Sequence, residues 1–383
     1  MNQVSCSPSN SCSRPAVVEV DLEALSYNFL SLKRLVNPAK VMAVVKANAY
    51  GHGLIECARH LAALGVDAFG VAIVEEGIAL RQFGISMPIL VCGGVLEEHI
   101  RFLLDYDLGI TISSIAQLEM VERLAQLVGK GALVHLKVDT GMGRLGIDYR
   151  LADELFHIAA SCCHCSVQGV YSHFATADAV DLSFSQLQLE RFLEVVKFFK
   201  NRNVPAPLLH MANSGAAIQM RGSHLDMVRL GLSLYGAHGG AHLRKQIALR
   251  PVMSLKARVV LKKSISAGQT VGYGCSWVSR LGTNIAIVPV GYGDGYFRML
   301  SNCGQVLIGG KRCPVVGKVC MDQVMVDVGE MDVREGDEVV IIGGQGEEFI
   351  GVEEVAEWAQ TIPYEVMTAF DLRLPRRYFG SIT

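Results

Sequence analysis

Eight short apolar runs, each separated from the next by a stretch of helical period, constrain this chain more than any other feature. They are "VMAVVK" (41–46), "AFGVAI" (68–73), "PILVCG" (88–93), "LGITIS" (108–113), "VHLKVD" (134–139), "VQGVYSHF" (167–174), "LLHMANS" (208–214) and "MVRLGLSLYG" (227–236). Each has the length and the apolar or β-branched content of a buried strand. Between them lie segments such as "GLIECARHLAALG" and "SIAQLEMVERLAQLVG", with apolar residues at three- and four-residue spacing and a glycine where a C-cap belongs. Repeated strand–helix units build a parallel sheet, and eight of them within roughly 200 residues close into a (β/α)8 TIM-type barrel. An open doubly wound sheet is the competitor, disfavoured because the eighth run leads into no further strand–helix unit.

After "GAHGGAHLRKQIALRP" the texture changes to short strands joined by glycine turns: "VMSLKARVVLKK", "TNIAIVPVGYG", "QVLIGGKRCPVVGKV", "QVMVDVG" and "DEVVIIGG". Gly309-Gly310 between two strand-like runs signals a tight hairpin. The expected organisation is a disordered tail over 1–14, the barrel over 15–245, and a mostly β C-terminal domain over 246–383 ending in a helical segment, "VEEVAEWAQTI". The early run "AVVEVDL" (16–22) precedes the barrel rhythm and can pair with the second domain.

Lys plus Arg (35) nearly balance Asp plus Glu (37), a formal charge of −2. No field exists to attract a nucleic acid or an anionic membrane surface. Every long apolar stretch is broken before it could span a bilayer, and the first fifteen residues lack the apolar core of a secretory signal, so a soluble cytoplasmic protein is expected. The eleven cysteines are an odd number scattered through apolar contexts, which suits reduced thiols. Cys162-Cys163-His164-Cys165 invites a metal reading, but these adjacent residues read as lacking the usual C-x2-C spacing and no second ligand pair follows at finger distance, so no metal is expected.

A parallel barrel exposes its reactive surface where strands end and loops begin. The residues falling there are Lys46 and Tyr50, Lys137 and Arg144, His173, His210 and Ser214, Arg229 and Tyr235. Four basic side chains and two imidazoles at one mouth call for a bound phosphate or carboxylate. A strand-end lysine, partly desolvated among cations, is favoured as the neutral amine that Schiff-base chemistry needs, although such lysines also occur simply with buried stems and solvated heads. Gly51 and Gly53 let the backbone after Lys46 approach a ligand. "DTGMGRLG" (139–146) matches a dinucleotide fingerprint only formally: it sits on the fifth unit and its middle carries Met142 and Arg144. "GYGDGY" (291–296) reads as a turn between strands, since no lysine, Ser/Thr or helix follows.

Nine motifs in order, "AVVKANAYGHG", "HLKVDTGMGRLG", "SHFATAD", "HMANSGA", "VRLGLSLYG", "VGYG", "GYGDGY", "GKVCMDQVMVDV" and "TIPYEV", resemble the bacterial alanine racemases, pyridoxal-phosphate enzymes of fold type III. The resemblance runs from about residue 16 to the C-terminus. It implies a barrel followed by a β domain, a homodimer with shared active sites, and conversion between L- and D-alanine that supplies peptidoglycan synthesis. By this resemblance Lys46 holds the pyridoxal phosphate covalently and acts as one acid-base group, and Tyr273 of a second subunit is the other. Tyr50, Ser214, Tyr364 and the amides of Gly231 and Leu232 bind the phosphate. Arg229 faces the pyridine nitrogen, Arg144 the phenolic oxygen and the substrate carboxylate, and Met321 that carboxylate through its amide. His173 and His210 link into the hydrogen-bond chain behind Tyr273 and Arg229; Asp322, Tyr292 and Tyr296 support the site; Lys137 is carbamylated.

The chemistry agrees with these implied roles. Racemisation removes a proton from one face of a planar centre and returns one to the other, so two bases on opposite faces are the minimum apparatus. A tyrosine, whose ordinary pKa is about 10, is a poor base unless cations stabilise its phenolate. A guanidinium at the ring nitrogen cannot accept a proton from it, which leaves the ring a weaker electron sink than a carboxylate would. Met367 and Phe370 are expected at the substrate mouth, which opens the alternative of a broader amino-acid racemase acting, for example, on serine. A barrel-type pyridoxal-phosphate decarboxylase and a non-catalytic cofactor carrier are the remaining alternatives. The first should carry an acidic residue in place of Arg229, and the second lacks a β domain.

Overall fold

The computed structural model describes residues 14–370 and 372–380; the tail expected over 1–14 lies, except for Arg14, outside them. By packing, the chain divides into one unit of residues 21–252 with 379–383 and another of 1–20 with 253–378.

After β1 (Ala16–Asp21) and α1 (Leu22–Val36), the first unit holds β2 (Lys40–Val44), β3 (Ala68–Val71), β4 (Ile89–Val91), β5 (Gly109–Ile112), β6 (Ala132–Asp139), the two-residue β7 (Ile147–Asp148), β8 (Cys165–Tyr171), β9 (Leu208–His210) and β10 (Met227–Leu230). Eight of these, β7 excluded, pair in parallel in the cyclic order β2-β3-β4-β5-β6-β8-β9-β10, and β10 returns to β2 with Arg229 opposite Met42. All eight expected runs are barrel strands, so the sheet is closed and has no edge to protect. Met42, Ala68, Leu90, Tyr171 and Met227 pack together in the core, with Cys92 against them.

Several runs stop earlier than their sequences suggest. β2 ends at Val44, so Lys46 follows the strand rather than closing it; β9 ends at His210 and β10 at Leu230. In each case a turn that presents functional groups replaces the predicted continuation. The helices obey local rules. Asp21 caps α1 by accepting the Ala24 N–H at 2.9 Å, and Ser114 caps the helix Ile115–Val128 by accepting from Gln117. Fully buried Asn28 on α1 donates to the carbonyls of Leu234 (3.0 Å) and Arg250 (2.7 Å) and accepts the Arg250 N–H (2.7 Å). It thereby ties the helix to the chain that leaves the last barrel strand.

The second unit is mostly β. Its largest sheet contains β1, which pairs antiparallel with Met253–Arg258 from Ala16 opposite Ala257 to Val20 opposite Met253. Strands Gln305–Ile308 and Lys311–Pro314 form the hairpin that Gly309-Gly310 signals; both glycines have positive φ (57° and 72°), as its two-residue turn requires. Buried Val271, Ile285, Val316 and Met325 form a local core beneath the turn at Tyr273. "GYGDGY" is a 3-10 turn around Asp294, a fully buried carboxylate that accepts from Arg14 at 2.5 and 2.6 Å.

Replacing Asn28 with Ala removes three hydrogen bonds that hold α1, the one to the Leu234 carbonyl buried and the two to Arg250 partly so. The expected loss is about 2–4 kcal/mol of unfolding free energy, measured by urea denaturation; a loss within experimental error would show that the clamp carries no load.

Candidate active site

Lys46 opens a turn that the backbone resists. Ala47, Asn48, Ala49 and Tyr50 all have positive φ, between 51° and 56°. Non-glycine residues pay about 1–2 kcal/mol each for that left-handed conformation. Side chains hold the turn from several directions. The Asn48 carboxamide oxygen accepts the Leu54 N–H at 2.8 Å, a Glu76 carboxylate oxygen accepts the Ala47 N–H at 2.6 Å, and His52 Nδ1–H donates to the carbonyls of Ala49 (3.0 Å) and Tyr50 (2.9 Å). Tyr235 stacks on both the Tyr50 ring (4.9 Å between centroids) and the His52 ring (4.5 Å) and donates its hydroxyl to the Val44 carbonyl at 3.1 Å.

The ends of the neighbouring strands carry the rest of the site. In the sheet register Lys137 on β6 lies opposite Tyr171 on β8, and Tyr171 opposite His210 on β9. The Tyr171 ring stacks on His210 (4.8 Å, 6° between planes), with the Lys137 ammonium 5.2 Å and the Arg229 guanidinium 5.1 Å from its centre. Tyr171 Oη hydrogen-bonds Thr111 Oγ1 at 2.8 Å.

Arg229, only 5% exposed, organises this cluster. Nη1 donates to His210 Nδ1 (3.0 Å) and the His210 carbonyl (3.1 Å); Nη2 donates to the carbonyls of Ser172 (2.7 Å) and Met211 (3.0 Å) and to His173 Nδ1 (3.0 Å). Because a guanidinium only donates, both Nδ1 atoms must be acceptors, which places the protons of both rings on Nε2. His210 Nε2–H then donates to His135 Nδ1 at 3.0 Å. Burial, then the charge of Arg229, holds His173 and His210 well below the ordinary imidazole range, and the same causes bring His135 down to about 4. The two rim imidazoles expected to add to a cationic mouth are therefore neutral. Burial, then Arg229, also brings the Lys137 amine down to about 8.

The turn after β10 faces Ser214 and Tyr50. Ser214 Oγ accepts the N–H of Gly231 at 3.0 Å and of Ser233 at 3.4 Å, so its single hydroxyl proton is left to point away from them. A Cβ on Gly231 would lie 2.4 Å from the Tyr50 hydroxyl. The hydroxyls of Ser214 and Tyr50 beside the turn at Gly231 and Leu232 have the donor chemistry of a phosphate site near the last barrel strands, although the Gly231 N–H is here given to Ser214. With an amine at Lys46 and a guanidinium at Arg229, the barrel residues suit pyridoxal phosphate. Arg144 is exposed on the loop after β6. There Asp139 Oδ1 accepts the N–H groups of Gly141 and Met142, and the loop begins no helix, contrary to a dinucleotide fingerprint.

In the second unit, Tyr273 is 72% exposed on its turn and Met321 53% exposed. Asp322 pairs with Arg373 at 2.5 Å, Tyr292 donates its N–H to the Cys320 carbonyl at 3.0 Å, and Tyr296 is buried. Tyr364 is half-buried in the helix Pro363–Thr368. Met367 and Phe370, expected at a substrate mouth, are 1% and 5% exposed: they face inward because the short amphipathic helix and its end need apolar anchors. No sequence signal singled out Tyr171, Thr111, Glu76 or His135. Tyr171 and His135 were legible at most as polar residues inside apolar strands, and Glu76 acts from a separate helix.

A pH dependence follows from the imidazole chain. Unfolded His135 binds a proton near pH 6.5 and folded His135 only near 4, so between these values the unfolded state holds more protons and stability falls as pH falls. His135 alone accounts for about 3 kcal/mol across that window. Urea unfolding of wild type should weaken from pH 7 to pH 5 by more than that of His135→Gln; equal slopes would remove the buried neutral imidazole from the account.

The chain matches the family models for the alanine racemase N-terminal domain over residues 20–239 and the alanine racemase C-terminal domain over residues 252–378. It is 45% identical over 371 residues to an alanine racemase of Carboxydothermus hydrogenoformans, covering 95% of this chain and 100% of that one. Among solved structures, an alanine racemase from a D-cycloserine-producing Streptomyces lavendulae is similar with a TM-score of 0.93 at 36% identity, covering 97% of this chain and 99% of that chain. An alanine racemase from Bartonella henselae with covalently bound pyridoxal phosphate is similar with a TM-score of 0.88 at 30% identity, covering 96% and 100%. The chain belongs to the alanine racemase family, a family of isomerases.

Proposed function

We propose that this protein interconverts L- and D-alanine with pyridoxal phosphate seated at the barrel mouth, in a homodimer whose sites are completed by Tyr273 of a second copy. The observation that carries this reading is Arg229: a buried guanidinium whose terminal nitrogens are taken by imidazoles and carbonyls, with no carboxylate among their partners.

When bound, pyridoxal phosphate supplies an electron sink that acidifies the proton on the substrate α-carbon. Lys46 would hold it through its amine; Ser214, Tyr50, Tyr364 and the amides of Gly231 and Leu232 would take its phosphate. Arg229 Nε–H, the donor not engaged among the described residues, would meet the pyridine nitrogen. Because a guanidinium donates without giving up its proton, the ring is a restrained sink, which favours proton return over transamination. Lys46 Nζ moves a proton on one face and Tyr273 Oη on the other, the two-base arrangement racemisation requires. Arg144 and the Met321 amide would orient the substrate carboxylate, with His173 and His210 holding Arg229 in place and Asp322, Tyr292 and Tyr296 supporting the second-domain side. Lys137, buried and with its amine brought down to about 8, holds more of the neutral form that captures carbon dioxide as a carbamate than an ordinary lysine does. That anion would compensate Arg144. The product D-alanine would serve peptidoglycan synthesis in the cytoplasm.

Purified enzyme should equilibrate L- and D-alanine by chiral chromatography and act far less on larger amino acids; equal rates on serine would replace strict alanine specificity with a broader racemase. Lys46→Ala should abolish the visible absorbance of the bound cofactor. Tyr273→Phe should reduce racemisation by a factor of about 10² or more, the contribution of one acid-base group, while α-deuterium exchange persists from one enantiomer. Undiminished racemisation would exclude the tyrosine as the second base.

A further inference from the structure

The cluster Cys162-Cys163-His164-Cys165 lies at the opposite end of the barrel from the site. The helix Ala152–Ser161 ends just before it, and β8 begins at Cys165. The chemistry sits six residues further along that strand, at Tyr171, about 20 Å away. Contrary to the sequence expectation that these residues lack it, Cys162 and Cys165 do stand at C-x2-C spacing. The missing partner is not another pair but Glu122, from the helix Ile115–Val128.

A carboxylate oxygen of Glu122 and the sulfurs of Cys162 and Cys165 all lie within 4.8 Å of one another. The carboxylate is held in place. Oε1 accepts the N–H groups of Cys163 (2.8 Å) and His164 (2.9 Å) and the His164 Nδ1–H (3.0 Å), and Oε2 accepts the His164 N–H at 3.0 Å. Cys162 Sγ lies 3.5 Å from the Ile158 carbonyl, and Cys165 is buried. On a tetrahedral zinc ion, with Zn–S near 2.3 Å, two thiolates stand about 3.8 Å apart. The observed spacing therefore needs a contraction of an ångström or less, within reach of side-chain rotation.

We propose that Cys162, Cys165 and Glu122 form a binding site for a thiophilic divalent cation of the zinc class, with a water molecule in the fourth position. Two thiolates with one carboxylate select zinc over magnesium or calcium, which favour all-oxygen shells. Binding replaces two S–H bonds by two metal–sulfur bonds and releases both protons to solvent. The His164 Nδ1–H and the two backbone N–H groups orient the ligating carboxylate as outer partners. The ion would join the helix Ile115–Val128 to the turn that starts β8.

The test uses the full-length holoenzyme, reduced and freed of metal, titrated with Co²⁺ and then Zn²⁺. Wild type should bind one equivalent of Co²⁺ with the visible bands of a tetrahedral thiolate complex; Zn²⁺ should erase them and raise the melting temperature. Cys163→Ser should behave as wild type, Glu122→Gln should bind about tenfold or more weakly, and Cys162→Ser and Cys165→Ser should lose the bands with racemase activity retained. Cys162→Ser, at the less buried position, guards against a folding defect in Cys165→Ser. No cobalt bands in reduced wild type, bands that survive Cys162→Ser, or a Cys162–Cys165 disulfide that re-forms in place of metal uptake would each overturn the proposal.

Discussion

A guanidinium buried without a carboxylate sets the electrostatics of this barrel mouth. Removing a cation from water costs several kcal/mol, and among the described residues Arg229 has no ion pair to offset that cost. Three backbone carbonyls, two imidazole nitrogens and the face of Tyr171 take its place. Carbonyls supply partial negative charge without a full anion, so the positive field of Arg229 persists into the site. Burial first, and this field second, account for the neutral imidazoles at 135, 173 and 210 and bring Lys137 down to about 8. Substituting a carboxylate for any one of these acceptors would alter every neighbour.

The register of the sheet makes that arrangement possible. Parallel strands bring their C-terminal ends to one rim, and residues opposite one another in neighbouring strands sit side by side. Lys137, Tyr171 and His210 form one such row, and Arg229 follows on β10. A one-residue shift of β8 would turn Tyr171 to the other face and remove the surface shared by Lys137, His210 and Arg229. The same closed sheet leaves its opposite rim free for unrelated work, and there the 162–165 turn and Glu122 converge.

Much of the barrel was legible because its signals are local. Eight apolar runs with helical stretches between them need no tertiary information, and Gly309-Gly310 encodes its own turn. The rim residues Lys46, Lys137, His210 and Arg229 followed from the rule that strands end in chemistry. Elements held by distant partners were less legible. The ending of β2 at Val44 depends on a turn stabilised by Glu76 and by the Tyr235 stack, neither near in sequence. Glu122 beside the cysteines was invisible for the same reason: it is 40 residues from Cys162. Met367 and Phe370 are buried, and an apolar residue beside a motif reads equally as a mouth or a core from sequence alone.

The left-handed turn after Lys46 connects these points. Four consecutive non-glycine residues at positive φ cost on the order of 4–8 kcal/mol in sum, a large share of a domain's stability. A glycine-rich turn would relieve the strain, but it would also let the chain fluctuate where the amine must stay fixed. Instead, Asn48, Glu76, His52 and the Tyr50–Tyr235 stack hold the turn from four sides. Strain of this kind persists only where its surroundings over-determine the conformation. A single ordinary rotation of the 47–50 backbone would carry Tyr50 away from Gly231 and swing Lys46 off the rim. The conformation is therefore best understood as the means by which a flexible lysine is held at a defined place on a rigid barrel.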